Sequence, residues 1–321
     1  LMWVRDFVDC LEGSTLRQPR VAEALAIKEQ HLPKRIYKYR RDCLNSRRNL
    51  ETDTVWLSSP ESYNDPYDCC FTFSEDTLLA TLNKWLVEKF VTAHRLQDVV
   101  SAEQIKAAKE SHNPLKAIAE SVSESRDAKS SLSQRADAAS TAARGVVENT
   151  ACKIRQWKKL TKLCSFSAIN DSLLMWSHYA DNHQGFCLEY NLEGLRADHP
   201  LREKLYPVVY SKEIYDLTPW VQTLVTTPNR AEFNTELPIL SVIHKFDGWR
   251  YEEEWRQVLI TNTVIADHDW QVPTPSRILL GSKMEAAKVG ELTEICARKA
   301  IEVWQMRLAK DKFELLPERL D

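Results

Sequence analysis

The stretch "GWRYEEEWRQVLI" (Gly248–Ile260) sets three consecutive glutamates ahead of an apolar run. Its second half, "EWRQVLI", has the length and the residue types of a buried strand. Side chains on a strand alternate, so Glu252, Glu254, Arg256 and Val258 share one face, while Glu253, Trp255, Gln257 and Leu259 share the other. This facing lines one edge of a pocket with two carboxylates and a guanidinium. Like charges at such spacing raise one another's pKa and Arg256 lowers them again, which suits a general base or a group that stabilises a developing cation. The competing reading is a solvated strand start, with Glu254 and Arg256 in a structural ion pair.

Working outward, "LCSFSA" (Leu163–Ala168), "GFCLEYN" (Gly185–Asn191), "YPVVYS" (Tyr206–Ser211) and "SRILLGS" (Ser276–Ser282) read as further strands. A helix over Ala286–Lys299 and a last strand "IEVWQMRL" (Ile301–Leu308) follow. Between Asn170 and Asn182 lies a short helix with Asn170 or Asp171 as its cap. Near the start, Asp6–His31 has helical spacing, Pro33 ends it, and "RIYKYR" and "TVWLSS" (Thr54–Ser59) read as strands. The segment "PESYNDPYD" (Pro60–Asp68) has turn chemistry.

From Ser74 to about Leu163 Ala, Ser, Glu, Lys and Arg dominate, which predicts a block of helices. Ser74 is a candidate N-cap, "SAEQ" (Ser101–Gln104) has the pattern of a capping box, and Asn113-Pro114 places proline at a first helical position. Ser121–Arg144 has few large apolar residues and is expected to form an exposed arm, a lid, or a surface for a partner or a dimer. The expected architecture is α+β: one mixed or antiparallel sheet domain (32–73 and 163–321) interrupted by a helical insertion (74–162) and preceded by an N-terminal helical segment (1–31).

The whole chain, 321 residues with 43% hydrophobic content and 10 Trp, has the material for a folded core. Its net charge of -3 demands no nucleic-acid partner. One local basic cluster, Lys34, Arg35, Lys38, Arg40, Arg41, Arg47 and Arg48, interleaved with Tyr37 and Tyr39, suits a phosphate-bearing ligand or a solvated basic face. Eight cysteines contain no Cys-x-x-Cys pair, and no 18-residue apolar run or cleavable signal pattern occurs. These features predict a cytoplasmic protein without a membrane segment.

His178 and His183 lie five apart and do not stack on one helical face, so no metal is expected. Cys164 sits in an apolar strand and reads as buried and inert. Ser165 and Ser167 face the same side of their strand and suit either a ribose or phosphate contact or ordinary bonding to backbone. Walker, G-x-G-x-x-G and G-x-S-x-G patterns are all missing from the sequence, which disfavours conventional nucleotide cradles and hydrolase elbows.

"LPKRIYKYR", "VWLSSPESYNDPYDC", "LCSFSAINDSLLMWSHYADNHQGFCLEYN" and "WRYEEEWRQVLI", in this order, resemble a widespread bacterial family catalogued as a domain of unknown function (DUF2971-like). The layout of that family is similar to that of ADP-ribosyltransferases. The resemblance implies a split sheet and NAD as co-substrate. Carried over, Arg40 or Lys38 would contact the pyrophosphate, and Ser165 and Ser167 would order the nicotinamide ribose. Glu254 would be the principal catalytic carboxylate, with Glu252 as its partner. Tyr37, Tyr39 or Trp176 would stack on a ring, Asn64 and Asp65 would shape the pocket floor, and His178 and Tyr179 would line it, with Arg256 beside the acids. The implied activity is ADP-ribosyl transfer to a protein or nucleic-acid acceptor, or NAD hydrolysis, in a toxin or anti-phage effector. Two other readings stay open: a hydrolase using Asp65, His178, His183 and Glu254 with or without a metal, and a non-catalytic module that senses a nucleotide or docks a partner through the helical arm.

Overall fold

In the computed structural model, which describes residues 2–13, 19–122, 126–226 and 236–320, two helices precede the first strand. They are α1 (Met2–Glu12) and α2 (Val21–His31). The apolar spacing over Asp6–His31 is interrupted because Gly13 takes a left-handed φ of 63°, which ends the first helix. β1 (Arg35–Arg40) leads into α3 (Leu44–Thr52), which the sequence reading omits because few of its residues are apolar. β2 (Thr54–Leu57), a 3-10 turn (Pro60–Ser62) and β3 (Phe71–Thr72) follow.

The insertion contains α4 (Glu75–Ala93), α5 (Ala102–Glu110), α6 (Pro114–Ser121) and α7 (Arg126–Arg155). Its caps form as the sequence predicts: Ser74 accepts from the Thr77 amide, Ser101 and Gln104 make the reciprocal box, and Asn113 accepts from the Lys116 amide. α7 does not stand free as an arm. Leu132 and Ala136 pack into a core shared with Phe90, Leu115 and Ile118, while Ala143, Val147 and Ile154 reach the core beside the sheet. Small apolar residues at helical spacing suffice because alanine lets helices approach closely.

The second part runs through β4 (Thr161–Ser167), α8 (Leu173–Tyr179), β5 (Phe186–Asn191), α9 (Pro200–Glu203), β6 (Leu205–Pro207), β7 (Val209–Ser211) and β8 (Tyr215–Asp216). Then come α10 (Thr218–Thr226), α11 (Leu237–Ile243), β9 (His244–Phe246), a 3-10 turn (Asp247–Glu252), β10 (Glu254–Ile260) and β11 (His268–Gln271). β12 (Arg277–Leu280), α12 (Ala286–Arg298), β13 (Glu302–Leu308) and β14 (Leu315–Arg319) close the chain. The cap of α8 is Ser172, whose hydroxyl accepts from the Met175 amide, rather than Asn170 or Asp171. "YPVVYS" breaks at Val208 into two strands with different partners, β6 on β10 and β7 on β9.

The fold is α+β, with eight strands in one mixed sheet ordered β14-β13-β12-β5-β1-β4-β10-β6. β1 pairs with β5 from Arg35 to Arg40, and β10 with β4 from Glu254 to Ile260, but β1 and β4 meet only at Tyr37 and Ser167. Beyond that rung the strands part, and the Lys38 ammonium bonds the Ser165 carbonyl at 2.7 Å. One face of the sheet buries a continuous core that includes Ile36, Phe166, Leu188, Trp255 and Ile278. The other face carries two separate clusters, one around Tyr39, Trp176, Leu279 and Met306, the other around Phe7, Leu78, Leu163, Leu240 and Val258. Polar side chains occupy the space between them.

Gly185, at the turn from α8 into β5, has the Arg40 carbonyl 2.2 Å from where a Cβ would stand, whereas Gly145 in α7 has nothing within 4 Å. Gly185→Ala is therefore expected to cost about 1–3 kcal/mol through forced backbone displacement. Gly145→Ala is expected to add about 0.5–1 kcal/mol, since alanine is the better helix former. Urea unfolding of the two variants beside the parent protein checks both signs.

Candidate functional site

Where β1 and β4 part, a cleft of about 400 Å³ opens, lined by Tyr37, Lys38, Tyr39, Arg41, Tyr63, Asn64, Asp68, Ser165, Ser167, His178, Tyr179, Lys245, Glu252 and Glu254 among others. Antiparallel register explains part of this meeting. Ser167 stands opposite both Tyr37 and Glu254, and Ser165 opposite Arg256, so these side chains share one face of three adjacent strands.

Glu252 reaches the cleft by another route than strand alternation. It ends the 3-10 turn, and Glu253 follows with a left-handed φ of 43° before β10 begins. A left-handed non-glycine residue is strained, by about 1–2 kcal/mol. The kink sends Glu253 outward and leaves Glu252 and Glu254 facing the same ammonium. Lys245, from β9, bonds Glu252 Oε2 at 2.5 Å and Glu254 Oε2 at 2.8 Å. Ser167 fixes the arrangement: its hydroxyl donates to the Glu252 carbonyl at 2.6 Å and accepts from the Ile169 amide at 3.1 Å.

Beneath the carboxylates lies Arg256, with no exposed surface. Its guanidinium donates to Glu254 Oε1 at 2.8 Å, to Asp68 Oδ1 at 2.6 Å and to the Val242 carbonyl at 2.6 Å. The Glu254–Arg256 pair is thus an interior contact, and the solvated strand start expected as its competitor does not form. Three carboxylates (Asp68, Glu252 and Glu254) face two cations (Lys245 and Arg256) in this cluster. One negative charge is in surplus when all are ionised.

The two glutamates respond oppositely. Burial would raise the Glu254 pKa, but Arg256 and Lys245 outweigh it and hold the carboxyl well below its ordinary value. Glu252 is pushed up by burial, with Lys245 opposing and Glu254 adding to the rise. The Tyr179 hydroxyl donates to Glu252 Oε1 at 2.6 Å. For Lys245 burial works against the charged form, yet Glu254 and Glu252 prevail and its pKa rises.

The other residues named from sequence divide. Lys38, Asn64, Ser165 and Tyr179 line the cleft, and His178 stands exposed at its rim. Tyr37 and Tyr39 also line it, but both are buried; Tyr39 donates to the Ile169 carbonyl, and burial with the neighbouring Glu189 pushes the Tyr37 hydroxyl up to about 12. Trp176 is a core residue whose indole donates to the Asn170 carbonyl, because its place on α8 faces the sheet. Arg40 leaves on the opposite side of β1 and bonds Asn49, and Arg41 takes the place at the cleft. Asp65 lines a neighbouring pocket and accepts from the Tyr67 amide. Asp65, His178 and Glu254 therefore do not line one cavity, and His183 is buried against Ser177 and Trp176. Among the described residues no group of three or more His, Cys, Asp and Glu is placed to hold a metal ion. Cys164 is buried.

Sequence reading missed Asp68 and Lys245. Asp68 sits in a segment legible only as a turn, and Lys245 follows an apolar helix with no spacing that links it to the glutamates. The usable signal was a requirement: an arginine within an apolar strand needs acids from elsewhere in the chain.

A family model described as "Protein of unknown function (DUF2971)" matches residues 175–257. The matched span includes Tyr179, Lys245, Glu252, Glu254 and Arg256, so much of the cluster lies within the stretch similar to that family. No curated protein and no solved structure matches the chain. No helix among the described residues is long and apolar enough to cross a membrane.

Glu254→Gln removes the one carboxylate that bonds both Arg256 and Lys245 directly in the interior, and a loss of about 3–5 kcal/mol is expected. Glu252→Gln removes the surplus charge and keeps an acceptor for Tyr179, so a change of about 1 kcal/mol or less is expected. The Glu254 contribution, from a depressed folded pKa, is present above its ordinary value and is lost as pH falls toward the depressed one. Urea unfolding at pH 7 and in the acid range measures both effects.

Proposed function

We propose that the cleft binds NAD and breaks its nicotinamide–ribose bond, passing ADP-ribose to a protein or nucleic-acid acceptor or to water. The observation that carries this reading is the surplus of carboxylate over cation at the foot of a cleft in a split sheet. As the C1′–N bond breaks, its electron pair leaves with nicotinamide and positive charge develops on the ribose. A fixed negative site stabilises that charge more than it stabilises the ground state.

Glu254, kept ionised by two cations, supplies fixed negative charge. Glu252, with its raised proton affinity, suits the general base that takes the proton of the attacking water or acceptor group as the new bond forms at C1′. Tyr179 orients it. Ser165 is half-buried and its hydroxyl bonds only the Tyr63 hydroxyl, at 3.3 Å, among the described residues, so it is the serine available to a ribose, since the Ser167 hydroxyl is occupied by backbone. Lys38 and Arg41 supply positive charge for the phosphates, and Arg41 makes no hydrogen bond or ion pair among the described residues. The layout resembles that of ADP-ribosyltransferases, and a role as a toxin or anti-phage effector is part of the same proposal.

The test is nicotinamide release from NAD. Glu252→Gln is expected to slow it by roughly 10²-fold or more without unfolding the protein. Because the base must be ionised, the parent rate rises with pH through a pKa above the ordinary carboxylate value, and the variant loses that limb. Equal rates in parent and variant, or no release with water, protein or nucleic acid as acceptor, would sink the assignment. NAD retained without release would instead assign the cleft to nucleotide sensing.

A further inference from the structure

Beside the carboxylate cleft, and sharing Lys38, Tyr39, Arg41 and Tyr179 with it, lies a second pocket of about 680 Å³, into which strand alternation sends Arg40. Lys38, Arg40, Arg41 and Arg48 line it, and no carboxylate does so among the described residues. Three of these cations have no acidic partner there. Lys38 bonds the Ser165 carbonyl, Arg40 bonds the Asn49 amide oxygen, and Arg41 bonds nothing, while Arg48 alone is paired, with Asp269. Cations gathered in a concavity without counter-charge repel one another, and an anion relieves the repulsion.

The pocket is larger than a phosphate group requires. Its wall includes Trp56, a large aromatic left 42% exposed, and Asn45 supplies amide donors and acceptors. A flat ring stacked on the indole with an anionic group on the arginines uses both features. Sulfate or inorganic phosphate would use only one.

We propose that this pocket binds a phosphorylated nucleoside, either a free nucleotide or the phosphorylated end of a nucleic-acid strand, as a ligand distinct from that of the carboxylate cleft. Lys38 and Arg41 stand at the border of both sites, so the proposal rests on Arg40, Arg48 and Trp56, which line this pocket and not the cleft. Glu252 and Glu254 do not line the pocket, and Arg40, Arg48 and Trp56 do not line the cleft, so the two sites offer opposite charge to a ligand.

Calorimetric titration of the full chain with ADP tests the site. ADP is expected to bind roughly tenfold or more tightly than inorganic phosphate, because stacking adds to the charge contacts. Arg40→Gln and Trp56→Leu are each expected to weaken ADP roughly tenfold. Arg48→Gln provides a further arginine variant, and thermal unfolding confirms that each is folded. Glu252→Gln, at a residue that does not line the pocket and with an acceptor for Tyr179 kept, is expected to leave ADP affinity unchanged. A 5′-phosphorylated single-stranded oligonucleotide that binds at least as well as ADP would identify a strand end, and weaker binding a free nucleotide. The proposal is overturned by absent ADP binding, by ADP no tighter than phosphate, by unchanged affinity in the folded Arg40, Arg48 and Trp56 variants, or by loss of ADP binding in Glu252→Gln. None of these results depends on nicotinamide release, so this proposal and the function of the cleft fail separately.

Discussion

A guanidinium with no exposed surface, on a strand flanked on both sides, sets terms for everything around it. Arg256 cannot lose its proton in a protein, and an unpaired charge in the interior would cost several kcal/mol. The chain therefore brings it Glu254 from the same strand, Asp68 from the turn after β2, and the Val242 carbonyl from the end of α11. Asp68 lies 188 residues from the arginine and Val242 only 14, and the arginine is the point at which they are held together. Lys245 and Glu252 then join through Glu254, so the cleft's electrostatics follow from one buried cation.

The acids do not behave as a uniform acidic patch. Glu254 spends its lone pairs on Arg256 and Lys245 and stays ionised, whereas Glu252 shares Lys245, takes a hydrogen bond from Tyr179 and holds its proton more readily. Two chemically identical groups, two residues apart, thus become a fixed charge and a proton acceptor. The left-handed Glu253 between them is the backbone device that permits both to face Lys245.

Much of the scaffold was legible in the sequence because it depends on local rules. "RIYKYR" and "EWRQVLI" alternate as strands do, and Ser74, Ser101 and Asn113 announce helix starts by their own side chains. The facing of Glu254, Arg256, Ser165 and Tyr37 followed from period-two alternation once their strands were neighbours. What could not be read depends on distant pairing. Asp68 and Lys245 join the buried cluster only when their segments fold against β10, and β14 is too polar in its exposed positions to show as a strand. Alternation turns Arg40 away from the carboxylates, and Glu252 faces Lys245 through the 3-10 turn and the left-handed Glu253 rather than through alternation.

The single rung between Tyr37 and Ser167 has a mechanical side. A sheet resists shear and opening through its ladder, and here the ladder is reduced to one residue pair and the Lys38 ammonium on the Ser165 carbonyl. The seam is crossed instead by the continuous apolar core, with Phe166 edge-on to Tyr190, and by the Tyr39 hydroxyl on the Ile169 carbonyl. Side-chain packing rather than the backbone ladder thus joins the two halves of the sheet, and the cleft opens where the ladder is missing.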